Sequence, residues 1–287
     1  MDLVALTKPR VKAMVLLTTA GGLWLGARHG GADVHVDRWT WIWALLGTAL
    51  VVGGANALNM YLERDSDGLM ARTARRPLPS GRLSPKVALG FGLALSIASV
   101  PVLVLGVNAT TAMLAVLANL LYVLAYTPLK RRTHWAVQVG AVPGAIPPLL
   151  GWTAATARVD LAGLALFAVL FTWQIAHFHA IALFRKGDYA RAGLVVMPNV
   201  DGDDATRHAI VRWAGATVVA TLSLLPLGIA HQPYAVAAAL LGAAWVAVCA
   251  VGLRKDATRQ SARAAFFASL LHLTALFGAL AIDAAIR

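Results

Sequence analysis

RWTWIWALLGTALVVGGANALNMYLERDSDGLMARTARRPLPSG, from Arg38 to Gly81, is the stretch that decides the fold. Its first part is an unbroken apolar run, 38–60, and a bilayer core takes about 20 such residues to cross. The part from Asn59 onward sets one amide, three acids, four arginines and two prolines directly against that run. Polar and ionisable groups at the end of a membrane segment are costly or solvated, and either way they mark a functional site by default.

Outward from this stretch the chain repeats the pattern. Further apolar runs lie at 12–28, 86–106, 109–127, 135–152, 161–183, 209–230, 233–253 and 263–284, so nine transmembrane helices are expected in all. The 287 residues are 59% hydrophobic and only 13% charged, against about 25% charged for a soluble domain. The runs are continuous and rich in Ala, Leu and Val, unlike the weak alternation of a membrane β-barrel. The expected class is therefore all-α, a polytopic membrane protein forming a single membrane-embedded domain over 1–287. The first run follows Lys8, Arg10 and Lys12 and resembles a signal peptide, but no cleavage site leads into a soluble domain, so it reads as a retained helix. Cys249 is the only cysteine, which excludes an internal disulfide or a thiolate metal cluster.

A formal charge of +12 could point to nucleic acid. Alternating the nine spans argues otherwise: of the 25 Lys and Arg, all but Arg28, Arg38, Arg158 and Arg287 fall on one side. The positive-inside rule then puts the N-terminus in the cytoplasm and the C-terminus outside. Much of the basic excess is topogenic, and the expected partner is the lipid bilayer, not nucleic acid.

Candidate chemistry gathers at cytoplasmic helix ends. Asn59, Glu63 and Asp67 are four apart and share one helix face. Asp65 points away unless the helix unwinds before Gly68. Clustered carboxylates call for a cation, and Mg²⁺ favours one or two carboxylates completed by phosphate oxygens. Arg72, Arg75 and Arg76 would then hold an anion such as diphosphate; the plain alternative is that these acids and arginines pair in water. Lys8 and Arg10 flank Pro9 at the first turn of helix 1, either overhanging the same anion or anchoring the helix. Ser84-Pro85 reads as the start of the helix that follows the basic loop. Asn119 reads as an interhelical hydrogen bond. Lys130, Arg131 and Arg132 follow Pro128. Pro143, Pro147 and Pro148 should bend or break helix 5, shaping a pocket wall. Helices 2 and 6 run the same way, so the end of helix 6 faces that of helix 2. It carries His177 and His179, which point to opposite faces and cannot share a metal, and Asp188, either a second acidic arm or a local ion pair.

NMYLERDSDGLMARTARRPLPSG resembles the first aspartate-rich motif of the UbiA superfamily of intramembrane prenyltransferases. LTKPRV, YTPLKRRT with GAVPGAIPPLLGW, and HFHAIALFRKGDYARAGLVVMP resemble its haem-farnesylating branch, over about residues 6 to 200. The resemblance implies two four-helix units and a ninth helix around a central cavity, with Mg²⁺-bound farnesyl diphosphate at its cytoplasmic mouth. It implies Asn59, Glu63, Asp65 and Asp67 as metal ligands, Asp188 as the remnant of a second motif, and Lys8, Arg10, Arg72, Arg76, Lys130 and Arg131 around the diphosphate. Asn59, Glu63, Asp67 and Lys130 are the expected catalytic set, and His177 the expected haem-facing residue. The implied acceptor is haem B, and a membrane enzyme acting next on the haem would be a further partner. Two departures stand out: Glu63 replaces the usual Asp, and Gly187 leaves Asp188 alone in the second motif. Rival readings are prenyl transfer to an aromatic acid or quinone precursor, and, from another class, a membrane transporter.

Overall fold

A computed structural model describes residues 1–31, 34–254 and 257–286; Lys255 and Arg287, both part of the charge count above, lie outside the described residues. Nine helical segments of twenty residues or more follow one another among those described. They are Pro9–His29 (α2), Arg38–Gly68 (α3), Pro85–Gly106 (α4), Ala109–Leu129, Ala136–Thr156 (α7), Leu161–Phe184 (α8), Gly202–Leu222 (α11), Gln232–Val251 (α12) and Arg259–Ala285 (α13). The segment Ala109–Leu129 is composite: Ala109–Leu120 (α5), a π-helical turn Leu121–Tyr126, and Thr127–Leu129 (α6). Short helices Asp2–Leu6 (α1), Lys186–Arg191 (α9) and Met197–Val200 (α10) complete the chain, and no strand occurs among the described residues.

The protein is thus all-helical. Six of the long segments are apolar enough to cross a membrane by length and composition, while α2, α7 and α11 are not among them. Charge lowers α2 and α11: α2 carries Arg10, Lys12 and Arg28, and α11 carries Asp203, Asp204, Arg207 and Arg212. In α7 the glycines, prolines and Gln138 do the same. Helix starts are marked by side-chain caps: Asp37 accepts from the Thr40 amide, Asn108 from Thr111 and Asp160 from Gly163, each contributing about 1 kcal/mol. Ser84 does occupy the N-cap before Pro85, though its hydroxyl makes no capping bond.

Helices α3, α7 and α8 are the inner members. Over half of the apolar stretch of α3 and of α8 is buried (56%), against 22% for α4 and for Ala109–Leu129, and α7 is buried along most of its length. The outer helices turn large apolar side chains such as Ile97, Leu105, Leu240 and Leu271 outward, as lipid contact requires. Helices α2 and α7 meet through small residues: a Cβ on Gly22 would lie 2.0 Å from the Pro148 carbonyl oxygen, and one on Gly151 1.9 Å from that of Thr19. Van der Waals packing through such seams is what holds helices together where lipid removes the hydrophobic incentive. Asn119 donates to Ser96 Oγ (3.0 Å) and to the Val51 carbonyl (3.3 Å), tying α5 to α4 and α3 as its position in an apolar helix implied.

Of the bend or break expected in helix 5, the break does not occur: Pro143, Pro147 and Pro148 sit buried inside a continuous α7. Pro143 and Pro147 do form part of the cavity wall described below. Neighbouring helices and side chains can meet the backbone groups that such prolines free. The seam yields a direct test. Gly151→Val should lower the thermal transition of the detergent-solubilised protein by several degrees. Gly21→Ala, where a Cβ meets nothing within 4 Å, should leave it unchanged.

Candidate active site

A cavity of about 650 Å³ opens between α2, α3, the π-turn, α7 and α8. Its depth is apolar, lined by groups such as Val51, Ala55, Ile146 and Leu150, with Thr48, Asn119 and Gln174 the polar exceptions. Its mouth is charged: Lys8, Glu63, Asp67, Arg72, Arg76 and Lys130 all face it together with Asn59.

The mouth is built on the last two turns of α3, which stays helical to Gly68. Asn59, Glu63 and Asp67 therefore stack on one face, and each meets a cation from a different part of the chain. Lys8 Nζ donates to Asn59 Oδ1 (2.8 Å), Lys130 Nζ to Glu63 Oε1 (2.7 Å), and an Arg76 guanidinium nitrogen to Asp67 Oδ2 (2.5 Å). Lys8 reaches in from the break between α1 and α2, where its backbone takes a left-handed φ of 49°. Asn56 holds that break by donating to the Thr7 carbonyl (3.2 Å). A non-glycine residue in this region costs of order 1 kcal/mol and concentrates at functional sites.

Lys130 arrives through the π-turn. Thr127 donates its hydroxyl to the carbonyl of Tyr122, five residues back (2.8 Å), and accepts from Asn59 Nδ2 (3.0 Å). The Lys130 ammonium then lies 4.2 Å from the Tyr126 ring centroid, and Gly140 leaves that ring its space on α7. Its carbonyl accepts from the Val195 amide (2.8 Å), so the segment after α9 straps the same corner. The basic loop after α3 is pinned by Thr73, whose hydroxyl donates to the Asp67 carbonyl (2.7 Å).

Burial pushes the Lys8 ammonium down to about 7, aided by repulsion from Lys130 and Arg76 and opposed by Glu63 and Asp67. Burial acts on Lys130 too, but the Tyr126 oxygen and the Glu63 carboxylate outweigh it and hold that ammonium above its usual value. The mouth carries more cation than anion, and an arriving multivalent anion would relieve the repulsion between Lys8, Lys130 and Arg76.

Several expected site residues lie elsewhere. Asp65 is 77% exposed and 3.8 Å from Arg64, because α3 does not unwind to turn it inward. Arg10 and Arg131 are exposed and do not line the cavity. Asp188 pairs with Arg185 and Arg191 instead of facing the mouth; its neighbour Tyr189 lines the cavity in its place. His177 turns toward α13: its Nδ1 is 2.7 Å from Ser269 Oγ, and its ring stacks on Trp173 (4.6 Å) beside Phe266. From the end of α8 it is Gln174, Phe178, Ile181, Ala182 and Phe184 that reach the cavity. Residues not foreseen are Thr127, Tyr122, Tyr126 and Gln174. YTPLKRRT contains the threonine and one tyrosine, but nothing in its spacing announces a π-turn.

Two carboxylates and one amide oxygen form a hard-donor set that fits Mg²⁺ when phosphate oxygens complete its shell. Among the described residues no three His, Cys, Asp or Glu side chains gather around one point, so the protein alone makes no cage. The donor oxygens are already arrayed to face positive charge, which Lys8, Arg76 and Lys130 supply here.

Residues 15–271 match the profile of the UbiA prenyltransferase family. A protein of Sorangium cellulosum (strain So ce56) named protoheme IX farnesyltransferase is 52% identical over 94% of this chain and 100% of its own length. One of the same name from Myxococcus xanthus (strain DK1622) is 50% identical over 98% of this chain and 94% of its own. Among solved structures, a digeranylgeranylglyceryl phosphate synthase in membranes superposes with a TM-score of 0.81, covering 99% of both chains at 16% identity. A UbiA homolog from Archaeoglobus fulgidus bound to GPP and Mg²⁺ gives 0.66, covering 98% of this chain and 100% of its own at 16% identity. The structural likenesses establish the fold. The charge arrangement makes its own forecast: Lys130→Met and Arg76→Met should each weaken binding of inorganic pyrophosphate about tenfold in calorimetric titration. Arg131→Met, outside the cavity, should change it less than about twofold.

Proposed function

The chain belongs to the UbiA prenyltransferase family, and on that premise we propose that it farnesylates haem B: the farnesyl group of farnesyl diphosphate is transferred to a vinyl group with addition of water, giving haem O and diphosphate. The observation that carries this reading is the juxtaposition of a cation-rich mouth with a deep apolar cavity, one for diphosphate and one for the fifteen-carbon chain and the porphyrin. The names of relatives at 52% and 50% identity over nearly the whole chain supply the acceptor.

The chain's own groups account for the chemistry. Lys8, Lys130, Arg72 and Arg76 are placed to neutralise charge growing on the diphosphate as its oxygen leaves C1 of the farnesyl chain, a stabilisation that strengthens toward the transition state. Asn59, Glu63 and Asp67 are the residues that would hold Mg²⁺. When bound, the ion adds positive charge at the same phosphate oxygens. The leaving diphosphate keeps the electron pair of the broken C1–O bond. The vinyl carbon forms the new bond to C1, and water captures the resulting cation with loss of a proton. Tyr122, Tyr126 and Tyr189 line the cavity together with its apolar wall, a surface that would limit bulk water around the allylic centre. Glu63 in place of aspartate extends the carboxylate by one methylene, and its bond to Lys130 sets where that carboxylate points. The enzyme works as a single membrane-embedded domain, with its N-terminus and the cavity mouth on the cytoplasmic side of the inner membrane. A transporter would place ionisable groups at mid-membrane depth, whereas those lining this cavity sit at its mouth.

Purified protein incubated with farnesyl diphosphate, haem B and Mg²⁺ should yield haem O by mass spectrometry. Prenylated 4-hydroxybenzoate in a parallel reaction, without farnesylated haem, would overturn the assignment. Asp67→Ala should reduce turnover more than about a hundredfold with the helical circular dichroism intact, and Asp65→Ala should stay within about twofold of the parent. Equal losses in the two variants would remove Asp67 from the site.

A further inference from the structure

A second cavity, of about 420 Å³, lies beside the mouth of the first. It is enclosed by the end of α8, by α9 and by the first turns of α11 and α13. The two cavities share Phe184 and Arg185, so a single stretch of wall separates them. Five cations line the smaller one: Arg185, Lys186, Arg191, Arg207 and Arg259. Three carboxylates answer four of these. Asp188 pairs with Arg185 (3.3 Å) and Arg191, Asp203 with Lys186 (2.8 Å), and Asp204 with Arg207 (2.9 Å). Arg259 makes no hydrogen bond or ion pair among the described residues. Asp204 meets Arg207 from outside the lining, so the pocket wall itself carries five cations and two carboxylates among the described residues.

We propose that this pocket receives the two propionate carboxylates of the haem acceptor, an inference that rests on the farnesyl-transfer reading above. A porphyrin of this kind is apolar over most of its surface but carries two carboxylates on one edge, and the central cavity has no free cation in its depth to meet them. Burying them there unpaired would be prohibitive. The shared wall offers the needed combination. The Phe184 ring supplies an apolar contact for the macrocycle, and Arg185, whose guanidinium carbon is 5.5 Å from that ring's centroid, stands at the boundary with a fork matched to carboxylate geometry. With the propionates anchored here, the opposite edge of the ring points into the apolar cavity, toward the site of prenyl transfer. The cationic excess of the lining suits a group that brings two carboxylates.

The test compares haem B with its dimethyl ester in vesicles of neutral lipid, using the variant Arg191→Gln/Arg259→Gln. Both side chains are exposed, so the fold should survive, as size-exclusion and circular dichroism would record. The KM for haem B should rise about tenfold, while the KM for farnesyl diphosphate and that for the dimethyl ester stay at parental values. A Soret titration without farnesyl diphosphate should show the same tenfold loss of haem affinity, independent of turnover. An equal change for acid and ester, or none for either, would overturn the inference while leaving the farnesylation reading intact. So would a defect seen only in vesicles containing anionic lipid, which would assign the pocket to a phosphate headgroup. If the parent protein farnesylates no haem, the functional reading fails, and the Soret titration alone decides the pocket.

Discussion

Three partly buried contacts at the end of one helix organise the molecule: Lys8 with Asn59, Lys130 with Glu63, and Arg76 with Asp67. Ionised groups removed from water at a membrane edge cost several kcal/mol each unless opposite charge and hydrogen bonds compensate. Here the compensation is shared among segments distant in sequence: the break before α2, the last turns of α3, the loop after it and the end of α6. Each contact closes one side of the same opening. The mouth is therefore set by the very pairs that a bound anion and its metal would rearrange, and Asp67, 2% exposed in its side chain, is the member least able to stand alone.

Behind that opening the inner helices divide the work. Helix α3 brings the polar face and α7 and α8 the apolar wall, with the glycine seam drawing α2 against α7 to enclose the space. Lipid-facing helices such as α4 and α12 add coverage and carry no charged group into the cavity.

Much of this was legible from residues alone. The nine apolar runs coincide with nine long helical segments among the described residues, six of them apolar enough to cross a membrane, where a helix satisfies its own backbone. The four-residue spacing of Asn59, Glu63 and Asp67 placed them on one face, and the same spacing rule correctly turned Asp65 away once α3 proved continuous. What was not legible depends on tertiary contact. The facing of His177 is set by Ser269, 92 residues away. Asp188 is captured by two arginines of its own helix end. Arg10 and Arg131 differ from Lys8 and Lys130 only in direction, and direction at those points is set by a left-handed residue and a π-turn that no composition reveals. The prolines of α7 do not end the helix for a related reason, since local propensity does not register an enclosing bundle.

The π-turn carries a longer consequence for how this sequence can vary. A π-turn holds one residue more than the α-helical turn it replaces, and each helical residue turns the chain by about 100°. Winding Leu121–Tyr126 into a regular helix with its number of residues unchanged would rotate everything after it and swing Lys130 and the Thr127 hydroxyl off the α3 face together. The Thr127 hydroxyl on the Tyr122 carbonyl and the space that Gly140 leaves for the Tyr126 ring favour the wider turn. A side chain added at Gly140, on a different helix, would therefore disturb the ionic corner through the Tyr126 ring.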